Sequence, residues 1–418
     1  MPAAPPPVPS TGMFRSLRIR NYRLWAIGAL VSNIGTWMQG TAQDWLVLTE
    51  LAHVNAAAAV GIVMALQFGP MALLLPVTGF AADYFDRRKL LFCTQAAMGL
   101  LALGLGLLTV LHLVQLWHVY VFAGVMGCVV AFDAPARQTF VSELVDEGHL
   151  ANAVALNSTA FNAARMIGPA LAGLLISAVG SGWVFLINAV SYVAVLGSLA
   201  LLRVDELRPT TRAARGRGSL VEGFRYVWLR PDLKAILLML FLIGTFGLNF
   251  PIFISTMSVS AFHAGAGEYG VLSTVMATGS VASALWAARR ARPTLSLLLW
   301  AGGVFGVGCA LAAFMPNYWL FGIVLVAIGA AAQTFMTSSN SLVQLSTDGP
   351  MRGRVVAILL AIAMGGTPIG APIVGWVADT LGPRWALGLG AVSGVLAAAV
   401  GLRFLATRNK LEAVRTEA

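Results

Sequence analysis

The feature that most restricts this chain is a succession of uninterrupted apolar runs, each about twenty residues long and separated by short polar turns. They lie near 24–47, 57–82, 90–112, 117–136, 153–178 and 183–202, then near 235–258, 269–288, 295–314, 319–341, 356–378 and 385–405. As a helix rising 1.5 Å per residue, each run spans the ~30 Å of hydrocarbon in a bilayer. Period-two alternation is absent, which excludes a barrel. A lipid core offers no water to backbone amides, so each segment satisfies its own as a helix. Composition points the same way: 58% of residues are hydrophobic and 11% charged, too few charges to cover a soluble domain of 418 residues. The expected fold is an all-α integral membrane protein with twelve transmembrane helices.

The basic residues sort by side. With the N-terminus in the cytoplasm, 25 of the 27 Lys and Arg residues fall on the cytoplasmic face, leaving Arg384 in a short outer loop and Arg165 inside a helix. This is the positive-inside pattern, so the net charge of +10 reports orientation and not a nucleic-acid partner. Trp117, Trp183, Trp319 and Trp385 each open a helix returning from the opposite face, where indole sits at the headgroups. The organisation expected is a cytoplasmic segment 1–23, a bundle 24–202, a cytoplasmic central loop 203–234, a second bundle 235–405 and a cytoplasmic tail 406–418. The Pro-rich start MPAAPPPVPSTG reads as unstructured and lacks the basic start and apolar core of a signal peptide, so no cleavage is expected. Cys93, Cys128 and Cys309 lie within apolar runs and read as small hydrophobes.

A shift of 202 residues superimposes the two halves. It carries Trp117 onto Trp319, Trp183 onto Trp385, Arg87 and Arg88 onto Arg289 and Arg290, and Asp146 onto Asp348. Gly127, Gly168, Gly173 and Gly180 fall on Gly329, Gly370, Gly375 and Gly382 in the same register. Two tryptophan matches at one offset exceed what shared apolar composition supplies. The expected arrangement is two pseudo-symmetric six-helix bundles in one monomeric chain, able to rock about a shared midplane site.

Between the second and third runs stands GFAADYFDRRK, residues 79–89, followed by FDAPARQTFVSELV at 132–145 and NSTAFNAARMIGPALAG at 157–173. The first resembles the signature loop of the major facilitator superfamily: Gly79, then Asp83, then the basic cluster of Arg87 and Arg88. Asp86 stands where that family usually has a second glycine. The other two segments resemble the drug and siderophore exporter branch, the enterobactin exporters among them. The resemblance implies a bacterial plasma-membrane exporter driven by proton antiport, with Gly79, Asp83, Asp86, Arg87 and Arg88 as a gating motif. Asp83 and Arg87 are one turn apart and can pair, and an acid there can also meet the N-terminal end of the eleventh helix. The bland alternative is that these charges anchor helix ends.

Three charges lie within the spans of the first half. Arg165 sits near the middle of the fifth, where an arginine costs ~2.5–3.5 kcal/mol unless it faces a cavity or an acid. Asp44 and Asp133 are the other two, read either as proton-coupling groups with Arg165 or as solvated interfacial carboxylates, the solvated reading being the stronger for Asp133. Asn33, Trp37, Gly40 and Asp44 share one face of the first helix, and Gln333, Thr337 and Asn340 one face of the tenth. With Asn249 beside Pro251 they form a candidate substrate lining, the alternative being polar contacts between packed helices. Gly168, Pro169, Gly370 and Pro372 are candidate flexing points of the fifth and eleventh helices.

Covalent chemistry finds no support. HExxH and GxSxG are absent, and Lys89, Lys234 and Lys410 are the only lysines, none in a P-loop. No enzyme activity, metal or cofactor is expected. The reading is secondary active transport: proton-coupled efflux of a small amphipathic molecule, neutral or cationic because the cavity stripes hold no arginine cluster. The alternatives are import or facilitated diffusion, or a non-transporting sensor on the same fold. The partners expected are the substrate, protons and the lipid bilayer.

Overall fold

The computed structural model describes residues 13–74, 77–78, 84–208, 220–288 and 293–417, and every regular element among them is helical. The long helices are α1 (Arg20–Leu46), α2 (Ala56–Leu73), α3 (Arg87–Val110), α4 (Leu116–Leu144), α5 (Glu147–Val179) and α6 (Ser181–Ala200). A second series follows: α7 (Pro231–Ala261), α8 (Ala266–Ala288), α9 (Leu295–Phe314), α10 (Tyr318–Ser346), α11 (Gly349–Thr380) and α12 (Pro383–Glu417). Eleven helices among the described residues, α2 to α12, are long and apolar enough to cross a membrane. Helix α1 has the length, but Asn33, Gln39, Gln43 and Asp44 lower its hydropathy, so on this measure it falls short of the expected twelfth span.

Local chemistry sets the helix ends. Asp86 accepts from the Lys89 N–H at 3.0 Å to start α3, and Asn317 accepts from Leu320 N–H at 3.0 Å to start α10. Asp146 starts α5 by accepting from the His149 N–H, and the hydrogen bond from the His149 ring holds its carboxyl below the usual carboxylate range. Helices α5 and α11 end at Gly180 and Gly382, both with φ in the glycine-favoured region (86° and 105°), at the two positions the 202-residue shift equates. Helices α4 and α5 run about two turns further towards each other than their apolar runs, as do α10 and α11. Pro135 lies inside α4 without ending it, and Arg137 and Asp133 pair one turn apart on either side of it. Helix α7 is interrupted: π-turns at Ile243–Gly247 and Met257–Ala261 flank a break at Asn249, where Pro251 removes a backbone donor.

Within each series the helices pack as neighbours, α1 on α5 and α6, α2 and α3 on α4, α3 on α6, then α8 and α9 on α10, and α9 on α12. The two series meet along α2–α11 and α5–α8. Small residues let these backbones approach. A side chain at Gly28 would collide with Ser198, and one at Gly35 with Asn188 and Ser191, so α1 lies flush on α6. The periphery is apolar: Leu73 is 81% exposed, Trp300 73% and Val190 70%, a surface that water would not tolerate and lipid does. Trp117, Trp183, Trp319 and Trp385 are each at least half exposed at the first turns of α4, α6, α10 and α12. They mark one end of the molecule, called here the tryptophan end, and the start of α1 lies at the other, the arginine end.

The central loop holds structure that its composition did not announce. A helix at Leu220–Leu229 is tied to the start of α11 by Glu222–Arg354 at 2.8 Å and by the Tyr226 hydroxyl donating to Asp348 at 2.8 Å.

Candidate substrate path and gate

The polar face of α1 runs the length of the molecule and meets a different helix at each level. At Asn33 it meets α4: Arg137 donates through Nη1 to Asn33 Oδ1 at 3.0 Å and through Nε to Asp133 Oδ2 at 2.9 Å. Asp133 is buried at 4% exposure and also accepts from Thr94 Oγ1 and Gln95 Nε2 of α3, both at 2.7 Å. The expectation of a solvated interfacial carboxylate is therefore corrected. Three donors surround Asp133, and Arg137, counted above among the cytoplasmic charges, is its counter-ion. The signal was present in the sequence as an Asp and Arg four apart on one helix face. Arg137 also lies 5.9 Å from the ring centre of the buried Trp25.

One turn towards the tryptophan end, Trp37 packs edge-on against Phe161 with centroids 5.9 Å apart. Its Cβ fills the space beside Gly168, so α5 crosses α1 here in direct contact. Gly40 fronts open space, with nothing within 4 Å of where a side chain would start. Arg165, one turn below Gly168, is level with Asn33 and reaches across to the second series, where Nη2 donates to Gln333 Oε1 at 3.4 Å. Gln333 Nε2 in turn donates to Thr337 Oγ1 at 3.2 Å. Asn340, two turns further along α10, is exposed and accepts from Gln344 at 2.9 Å. Asn249 is apart from this group: it is fully buried in the α7 break, donating to Thr245 O at 2.7 Å.

At the tryptophan end Asp44 stands beside Tyr269 of α8, whose hydroxyl donates to Oδ2 at 3.4 Å while its ring stacks on Trp45 at 6.2 Å. Here the two series close on each other. Gly173 of α5 lies against the backbone of Ala266 and Gly270 in α8, and Gly375 of α11 against Ala57 and Ala58 in α2. Gly173 and Gly375 are equivalent under the repeat. Asp379 of α11 completes the seal, accepting from the N–H groups of Ala57 at 3.0 Å and Ala58 at 2.8 Å. Asn55, the residue that should cap α2, is left-handed (φ 53°) and makes no side-chain cap bond, so Asp379 caps α2 from the other half. Towards the arginine end the same pair of helices packs less tightly: a side chain at Gly61 would strike the Ala371 backbone, whereas those at Gly69 and Gly365 would meet Pro368 at 4.0 Å and Ala72 at 3.7 Å.

Of the loop between α2 and α3, Gly79 and Asp83 lie outside the described residues. Asp86 caps α3, Arg87 forms an ion pair with Glu143 of α4, and Arg88 Nε donates to Leu199 O of α6 at 2.9 Å. Glu143 is a partner the sequence pattern did not single out. The candidate flexing residues take part in close packing within unbroken helices. Gly168 and Pro169 run inside α5, and Gly370 and Pro372 inside α11, where Gly370 and Gly366 receive the interrupted backbone of α7 at Thr245.

Residues 11–417 match the family model described as transmembrane secretion effector. The chain is a member of the major facilitator superfamily. The match spans nearly all of it, and the relatives are of similar length. The staphyloferrin A transporter of Staphylococcus aureus is 24% identical over 84% of this chain and 87% of its own. The enterobactin exporter EntS of Shigella flexneri is 27% identical over 78% and 77%. The multidrug efflux pump Tap of Mycolicibacterium fortuitum is 24% identical over 85% and 88%. In fold, the chain is similar to a bacterial homologue of the lysosomal transporter Spinster in its inward-facing, occupied conformation, with TM-score 0.71 at 16% identity over 96% of this chain and 98% of that one. The chain is a multi-pass membrane transporter, and the relatives it resembles are siderophore and drug transporters.

Proposed function

We propose that this transporter expels a small amphipathic molecule from the cytoplasm by alternating access, using proton entry as the driving force. One observation carries the reading: the halves meet backbone to backbone at the tryptophan end and pack more loosely towards the arginine end, with the Arg165–Gln333 pair between them. The arginine end is cytoplasmic on the positive-inside rule, with both termini there, so the sealed state is the one loaded from inside. Helix α1 is the twelfth span, its polar face shielded by α4, α5 and α8, and each half is a six-helix bundle. The roles printed for EntS and Tap, export and efflux, support the direction.

Asp44 is the proton carrier in this reading. Asp133 has its counter-ion in Arg137, whereas Asp44 has a neutral tyrosine partner on the opposite half, a contact that opening of the tryptophan end breaks. A carboxylate alternating between a closed, apolar contact and open water exchanges its proton between the two states. The second gate in this reading is the signature motif, whose described residues Asp86, Arg87 and Arg88 tie the start of α3 to α4 and α6.

The test is the purified protein in proteoliposomes under an imposed pH gradient, with substrate and protons followed together. Export predicts substrate movement against its gradient, opposite to the proton and abolished by collapsing the pH difference. Movement in the same direction as the proton assigns import, and pH-independent equilibration assigns facilitated diffusion.

A further inference from the structure

Arg165 carries a charge that no carboxylate among the described residues neutralises. It lies in the middle third of α5, half-buried between the two series, and its hydrogen bond goes to the neutral amide of Gln333. No carboxylate of the described residues stands within ion-pair distance of it. The contrast with Arg137 on α4, at the same level, is direct: that guanidinium has Asp133 at 2.9 Å and Asn33 at 3.0 Å. The polar layer thus holds two guanidiniums and one carboxylate. Asp44 does not restore the balance, because it sits eleven residues further along α1 than Asn33, ~16 Å by helix rise, and faces Tyr269.

A guanidinium offers five donors in a planar fork that matches an oxyanion, and Gln333 engages one of its terminal nitrogens. The neighbours are aromatic and apolar: Phe161 stands one turn below Arg165 on the same face of α5 and packs on Trp37, with open space beyond it at Gly40. A ligand satisfying this layer carries an anionic group for the fork and a flat or aliphatic body for the Trp37–Phe161 surface. We infer that Arg165, held by Gln333, is the anion-binding group of the transport site, and that the substrate is an anionic amphiphile bearing a carboxylate or a comparable oxyanion. This rests on the transport reading above and replaces the neutral or cationic substrate that the sparse arginines of the sequence had suggested.

The experiment uses full-length protein in phosphatidylcholine nanodiscs and two fluorescent probes with the same dansyl group and hexyl chain, one ending in carboxylate and one in ammonium. The carboxylate probe is expected to bind at least tenfold more tightly, with a preference that weakens as salt rises. Arg165→Gln is expected to abolish the preference, and Arg165→Lys to keep part of it, which separates loss of charge from loss of fold. Gln333→Ala keeps the charge and is expected to retain the preference at reduced affinity. Equal binding of the two probes, preference for the ammonium, no carboxylate binding up to millimolar probe, or an Arg165→Gln variant that retains the preference would each overturn the inference. Displacement of the carboxylate probe in nanodiscs containing phosphatidylglycerol identifies a lipid headgroup as the anion. Displacement by free hexanoate alone identifies a soluble one. Flux of the probes in proteoliposomes is read separately: Arg165-dependent binding without flux sinks the transport reading and leaves the anion site standing. Flux without charge preference does the reverse.

Discussion

Replacing Asp379 with alanine removes a cap that one half of the protein provides to the other. The two N–H groups it accepts, from Ala57 and Ala58, are the second and third of α2, the pair that an N-cap side chain ordinarily satisfies. Loss of such a cap costs ~1 kcal/mol, and the exposure of Asp379 keeps the figure near that centre, well short of a buried charge pair. The bond joins α11 to α2 across the seam that must part when the tryptophan end opens, so the loss falls on the sealed state alone. One kcal/mol then multiplies the ratio of open to sealed molecules roughly fivefold. Spin labels on the exposed turns at Val54 and His263, one in each half, report that ratio as a distance distribution. The expected result is growth of the longer-distance population in Asp379→Ala and a smaller change in Asp379→Asn, whose amide oxygen still accepts. An unchanged distribution in Asp379→Ala would mean that the cap persists in both states, and the latch would be refuted. A shift towards the shorter distance would refute it more strongly, because the carboxylate would then be holding the seam apart.

Three further outcomes are expected. Asp133→Ala leaves the Arg137 guanidinium without its counter-ion among buried groups and is expected to destabilise the fold by about 3–5 kcal/mol, read as a large fall in melting temperature in detergent, whereas Asp133→Asn loses less; equal melting of Asp133→Ala and the parent contradicts the buried pair. Asp44→Asn is expected to abolish substrate-induced proton movement in proteoliposomes while leaving binding and substrate counterflow intact, and normal proton flux removes Asp44 from the coupling mechanism. Cysteines at the exposed Val54 and His263 are expected to react with an impermeant reagent added to intact cells, and one at Gly216 to stay unlabelled; the reverse pattern inverts the orientation and with it the direction of transport.

Periodicity and charge made the helices legible, and the repeat made their pairing legible, because both are one-dimensional signals. Gly180 and Gly382 are a case in point. They were matched by offset alone, and both end a helix with positive φ. What the chain did not reveal is which polar residues meet across helices. Asp133 and Arg137 are four apart and could have been paired from spacing, but Thr94 and Gln95, which complete the cluster, come from a different helix with no periodic mark. Asp379 was missed because an acid at a helix C-terminus reads as a solvated end; its partner is the backbone of a helix more than three hundred residues earlier. Asn249 misled in the opposite direction. An amide beside a proline in a span suggests a ligand contact, yet here it donates to Thr245 O, a backbone carbonyl within the break in α7.

The comparison of equivalent positions separates scaffold from chemistry. Residues that control backbone geometry recur in both halves: Gly173 and Gly375 at the two inter-half contacts, Gly180 and Gly382 at the helix ends, Asp146 and Asp348 at the helix starts. The charged groups inside the spans do not recur. Where the first half has Asp133, Arg137 and Arg165, the shift finds Phe335, Ser339 and Thr367 in the second, with Phe335 and Ser339 fully buried. Where the second half has the latch carboxylate Asp379, the first has Ser177, whose hydroxyl turns back to Gly173 O at 2.9 Å. A rocking machine needs matched hinges and seams, because both ends must close by the same backbone approach. It needs its ion chemistry once, because two equivalent charge clusters would bind ligand in either half and uncouple binding from the motion. On that logic, transplanting the unpaired charge as Thr367→Arg, at a half-buried position, is expected to raise the stoichiometry of anionic probe bound per chain without raising flux. A proportional gain in flux would show that the asymmetry of the halves is incidental to transport.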